Sequence, residues 1–101
     1  MLELTYNAEQ SLLTCTFAGR MDGSNSPEAD AQVKAELAKT GEGASVAFDL
    51  GGVDYVSSAF LRVIIGAAKT VGEAKFSVIN CRPFIKRLFV DAGLDRLFSV
   101  S

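Results

Sequence analysis

The chain has 101 residues, 49% of them hydrophobic and 22% charged, with a net charge of −2. That is the size and balance of one ordinary globular domain, spanning residues 1–101. So slight a charge gives no electrostatic footprint for nucleic acid or for an anionic membrane surface. There is no histidine, and the two cysteines, Cys15 and Cys81, stand far apart in sequence, which removes the commonest general base and any paired zinc-ligand spacing.

Little catalytic chemistry is left, so no enzyme activity, cofactor or metal is expected. Both cysteines sit among apolar neighbours and read as small buried hydrophobes in a reducing compartment. The longest apolar stretch, residues 63–68, is far short of the ~20 residues a spanning helix needs. Met1-Leu2-Glu3-Leu4 lacks the basic and apolar runs of a signal peptide, so a cytoplasmic protein is expected.

In chain order, Leu2-Glu3-Leu4-Thr5-Tyr6 alternates with the period of a half-buried strand. Asn7 to Gln10 is a polar turn, and Leu12 to Phe17 is the partner strand of a hairpin. Gly19 to Asn25 reads as a loop. Ser26 then precedes Pro27, the pairing of an N-cap with a first helical residue, and Glu28 and Asp30 suit the positive end of the helix dipole. Ala31, Val33, Ala35, Leu37 and Ala38 give this helix its apolar face, with Gly41 as its stop.

Ala44 to Leu50 is dense in apolar residues and reads as a buried central strand, broken by Gly51-Gly52. Ser57 or Ser58 caps a second helix in which Phe60, Leu61, Ile64, Ile65 and Ala68 share one face, with Gly72 at its end. Lys75 to Ile79 is a short strand. Pro83 opens a third helix with Phe84, Ile85, Leu88 and Phe89 as its buried stripe, closed by Gly93. Leu97 to Val100 is a possible edge strand. The order β-β-α-β-α-β-α, with a possible last β, makes an α/β fold. It predicts a mixed sheet of four to five strands, with three helices on one face in two layers.

The segment Asp49 to Ile65, DLGGVDYVSSAFLRVII, resembles the signature of the STAS domain, in particular the anti-sigma factor antagonist family. Phe17-Ala18-Gly19-Arg20-Met21-Asp22 resembles the end of the family's second strand and its following loop, and Asp91 to Phe98 resembles its closing segment. The likeness runs from about Leu2 to Val100 in the family's order and spacing. It implies a bacterial cytoplasmic regulator that is no enzyme. Its partner would be an anti-sigma factor that is also a serine protein kinase, and transcription would be regulated by partner switching. The phosphorylated residue implied is Ser58, with Ser57 as the second candidate, and the implied partner surface takes in Asp22, Ser57, Ser58, Phe60 and Arg62. The alternative within the family is a constitutive subunit of a larger assembly, a stress-signalling scaffold or an ABC-type lipid transport complex.

The residues supply their own reason for such a switch. A phosphate at a helix start adds about −1.5 to −2 charges where free amides and the dipole stabilise them. The domain then stays folded while a docked partner is repelled. The plain alternative is that the serine pair only caps the helix. Phe60 departs from the family, which usually has glycine there. Its ring either turns into the core or changes which partner can approach.

Overall fold

The apolar residues of the central strands recur at every second position, so one face of the sheet must be covered while the other can remain polar. The computed structural model, which describes residues 2–40 and 43–101, shows this arrangement. Strand β1 (Leu2–Asn7) and strand β2 (Leu12–Met21) form an antiparallel hairpin. Helix α1 (Ser26–Thr40), strand β3 (Ser45–Val56), helix α2 (Ser58–Val71), strand β4 (Phe76–Ile79), helix α3 (Pro83–Asp91) and strand β5 (Ser99–Val100) follow. The five strands lie in sequence order, with β2 to β5 parallel. Each crossover therefore moves one strand onward in the same direction, and the right-handed rule puts all three helices on one face.

Burial follows that geometry. Leu13, Cys15 and Phe17 of β2, Val46, Phe48 and Leu50 of β3, and Phe76 and Val78 of β4 are buried beneath the helices. Thr14, Thr16, Asp49, Ser77 and Ile79 point the other way and are only half-buried. Along the covered face an aromatic row runs from helix α2 to the residue before the last strand. Ring centroids are 5.0 Å apart for Phe60 and Phe17, 4.9 Å for Phe17 and Phe48, 5.0 Å for Phe48 and Phe76, and 4.9 Å for Phe76 and Phe98. Such tilted and edge-on pairs add attraction beyond the area they bury.

Four expectations are corrected. Strand β2 runs past Phe17 to Met21, and β3 continues through Gly51-Gly52 to Val56. The two strands stay paired because the register slips between Thr16 and Ala18 and again between Gly19 and Arg20, the mark of β-bulges. Gly52 is what allows the close approach: a Cβ there would lie 3.2 Å from the Ala18 Cβ and 3.4 Å from the Phe17 carbonyl oxygen. In α1 the buried positions are Ser26, Ala29 and Val33, with Leu37 half-buried, while Ala31, Ala35 and Ala38 are exposed. The i, i+4, i+8 row faces the sheet and alanine is indifferent to exposure. In α3 only Ile85 and Phe89 are buried, and Phe84 and Leu88 lie outside the core. Gly41, expected to stop α1, lies outside the described residues.

The two cysteines are free thiols, Cys15 buried and Cys81 half-buried. Burial pushes the Cys15 thiol up to about 12, with the carboxylate of Glu36 adding to it, and pushes the Cys81 thiol up to about 11. The folded state therefore holds on to thiol protons that the unfolded chain has lost, so stability falls as pH rises from about 9 toward 12. At pH 8 the native protein should resist alkylation by iodoacetamide, slowest of all at Cys15, and unfolding in urea should expose both thiols to rapid modification. Phe60→Ala should cost about 3–5 kcal/mol in chemical denaturation, since the ring is fully buried at the head of the aromatic row.

Candidate functional site

In a sheet with parallel strands, the ends of the strands and the helix starts that follow them form a common rim. Here that rim is built where β2 and β3 end and α2 begins. The Met21 carbonyl accepts a 2.9 Å hydrogen bond from the Ser57 amide, and Met21 pairs with Val56 in the ladder. The loop after β2 is thereby held beside the start of α2.

That loop is closed by its own polar side chains. The Asp22 carboxylate accepts from the Ser24 amide at 2.9 Å, the Ser24 hydroxyl at 2.6 Å and the Arg20 Nε at 3.2 Å. The Asp22 amide donates to Asn25 Oδ1 at 2.9 Å, and Asn25 Nδ2 donates to the Arg20 carbonyl at 2.7 Å. Buried Ser26 donates its amide and its hydroxyl to the Asp22 carbonyl. The hydroxyl and amide of Ser24, more than the Arg20 guanidinium, hold the Asp22 carboxyl below its usual range. Asp22 thus organises the loop and is itself half-buried.

The two serines divide the work at the helix start. Ser57 is the N-cap, extended at φ −90° and ψ 168°, with its hydroxyl accepting from the Phe60 amide at 3.3 Å. The Ser57 carbonyl takes the Leu61 amide at 3.1 Å. Ser58 is the first helical residue and is exposed, and its hydroxyl makes no hydrogen bond among the described residues. The amides of Ser58 and Ala59 are the free donors that a helix start leaves over. Arg62 is exposed one turn later on the flank of Ser58, without an ion pair among the described residues.

Of the five residues expected on a partner surface, Asp22, Ser57, Ser58 and Arg62 are therefore brought to one rim. Phe60 is not there. Its ring is fully buried against Phe17 and belongs to the core. Asp49, in mid-strand, accepts from the Gly51 amide at 2.9 Å and from the Asn80 side chain at 3.1 Å. One feature lacks any local signal in the sequence. The Arg20 guanidinium lies over the ring of Tyr55, 3.7 Å from its centroid, because the bulges place these two residues opposite each other. Among the described residues no cluster of three or more metal-ligating side chains occurs, and no helix is long and apolar enough to cross a membrane.

The rim and the one-sided sheet define a class. Residues 4–101 match the STAS domain, and the chain belongs to that family. It is 29% identical, over 99% of its length and 86% of the relative's, to a Bordetella bronchiseptica protein named as an anti-sigma factor antagonist, BtrV. In fold it is similar to an anti-sigma factor antagonist from Mycobacterium paratuberculosis, at a TM-score of 0.81 and 19% identity over 99% of this chain and 85% of the other. It is also similar to SpoIIAA of Bacillus. That protein is known unphosphorylated, at a TM-score of 0.75 and 14% identity over 100% of this chain and 88% of the other. It is known phosphorylated as well, at 0.73 and 12% over 100% and 91%. Each of these three relatives is named as an anti-sigma factor antagonist.

The capping geometry separates the serines experimentally. Ser57→Ala should cost about 1 kcal/mol in urea denaturation through the lost cap. Ser58→Ala should stay within about 0.5 kcal/mol of the parent, as an exposed side chain with no partner.

Proposed function

We propose that this protein is an anti-sigma factor antagonist that binds an anti-sigma factor with serine kinase activity, and that phosphorylation of Ser58 ends the binding. The observation that carries the reading is the exposed, unpartnered Ser58 hydroxyl on the first residue of α2, beside the pinned Asp22 loop. Ser57 is the weaker acceptor because its hydroxyl already caps the helix. The partner footprint comprises Asp22, Ser57, Ser58 and Arg62. In the unmodified protein Asp22 and Arg20 are paired at 3.2 Å on this rim. A phosphate on Ser58 brings about −1.5 to −2 charges, which the free amides of α2 tolerate but a desolvated interface does not.

That SpoIIAA keeps a comparable likeness to this chain in both forms supports a switch that alters the surface and leaves the fold intact. A sigma-factor circuit places the protein in the bacterial cytoplasm as a regulator of transcription. The ring of Phe60 is buried and offers no permanent apolar contact to a constitutive assembly.

The kinase partner and ATP should place one phosphate on Ser58. Ser58→Asp should weaken the complex at least tenfold, and Ser58→Ala should bind normally but stay bound when ATP is added. Undiminished binding by Ser58→Asp, with phosphate mapped to another residue, would sink the proposal.

A further inference from the structure

The two edges of the sheet differ. Strand β5 is only two residues long, so that edge offers little to pair with. Strand β1 is six residues long, and its outer side carries none of the usual protections. It contains no proline and no bulge, and Glu3 is its single charged side chain. Among the described residues no strand pairs with that side, whose backbone donors and acceptors are a ready template for another strand.

The side chains of β1 say which strand fits. Leu2, Leu4 and Tyr6 pair with Phe17, Cys15 and Leu13, so they lie on the helix-covered face, while Glu3 and Thr5 lie on the open face. When a second β1 runs antiparallel with Leu4 opposite Leu4, every opposed pair is compatible. Leu2 meets Tyr6 twice over, and Glu3 meets Thr5 twice over. Shifting the strand by two residues one way sets Glu3 against Glu3, which is unfavourable; an odd shift puts apolar side chains opposite polar ones.

The same register has a receptacle. A cleft of about 110 Å³ between β1 and α1 is lined by Leu2, Met21, Asn25, Glu28, Ala29 and Gln32. Tyr6 is 40% exposed, an aromatic ring projecting beyond its own core. Residues directly opposite in an antiparallel pair have Cβ atoms about 4.5–5.5 Å apart, so the ring of one copy falls at the mouth of the other copy's cleft beside Leu2. The polar side of that cleft is formed by Glu28 and Gln32, whose side chains are joined at 3.2 Å.

We infer that β1 is a self-association edge: two copies pair antiparallel through Leu2–Tyr6 about a two-fold axis at Leu4, forming a continuous ten-stranded sheet with all helices on one side. The axis consumes both β1 edges, so assembly closes at the dimer. The interface uses none of Asp22, Ser57, Ser58 and Arg62.

Analytical ultracentrifugation of the full chain from about 10 µM to about 1 mM should show the mass rising from monomer toward dimer and no further, as a weak edge contact predicts. Thr5 is exposed and faces Glu3 of the other copy, so charge at position 5 reads the register directly. Thr5→Glu should weaken the dimer roughly tenfold through two like-charge pairs, Thr5→Lys should tighten it, and adding Glu3→Lys to Thr5→Glu should restore it. Tyr6→Ala should also weaken it, with far-UV circular dichroism unchanged in every variant. A monomer at all concentrations, a dimer indifferent to these substitutions, or assembly beyond the dimer would each overturn the inference.

Discussion

The edge-on contact between Phe17 and Phe60 is what the rest of the arrangement depends on. Phe60 stands two residues after the exposed serine of the rim and three after its cap, so wherever this ring is buried, the start of α2 is fixed with it. The ring is seated against β2 at 5.0 Å, and β2 ends in the loop that Asp22 organises. Packing in the core thus sets the position of the rim. Interiors are close-packed and do not deform continuously, so a rigid ring beneath the helix start holds Ser57 and Ser58 in fixed and different roles. One hydroxyl is committed to the backbone and the other is left free.

Covering one face of a sheet with three helices has a second effect. Because the strands from β2 onward are parallel and in sequence order, their C-terminal ends and the following helix starts gather at the same edge. The rim is a product of that topology. It recruits Asp22 after β2 and Ser58 after β3, residues 36 positions apart in the chain, by way of one backbone hydrogen bond from Ser57 to Met21.

The bulges between β2 and β3 add detail that periodicity does not carry. An irregularity in a paired strand re-aims the side chains beyond it. After the slips at Thr16/Ala18 and Gly19/Arg20, Arg20 comes to lie opposite Tyr55 and stacks on its ring, while Met21 and Val56 turn into the core. Two glycines that look like a strand end in the sequence lie within β3, and the second of them, Gly52, is where β2 passes close.

Much of this protein was determined locally. The alternation in Leu2–Tyr6, the Ser-Pro at the start of α1 and the apolar spacing of α2 define the elements and their order, and the order with right-handed crossovers defines the sheet. The YVSS segment marked the helix start that matters. Tertiary structure alone decided which apolar residues are core: Phe60 is buried, whereas Phe84 and Leu88, equally apolar and at helical spacing, remain outside because α3 meets the sheet only through Ile85 and Phe89. It also decided which serine caps and which is free, and how far β2 and β3 stay paired. The physical reason is the same in each case. Local pattern tells a side chain what it prefers, but burial and hydrogen bonding depend on which distant strand or helix is there to meet it.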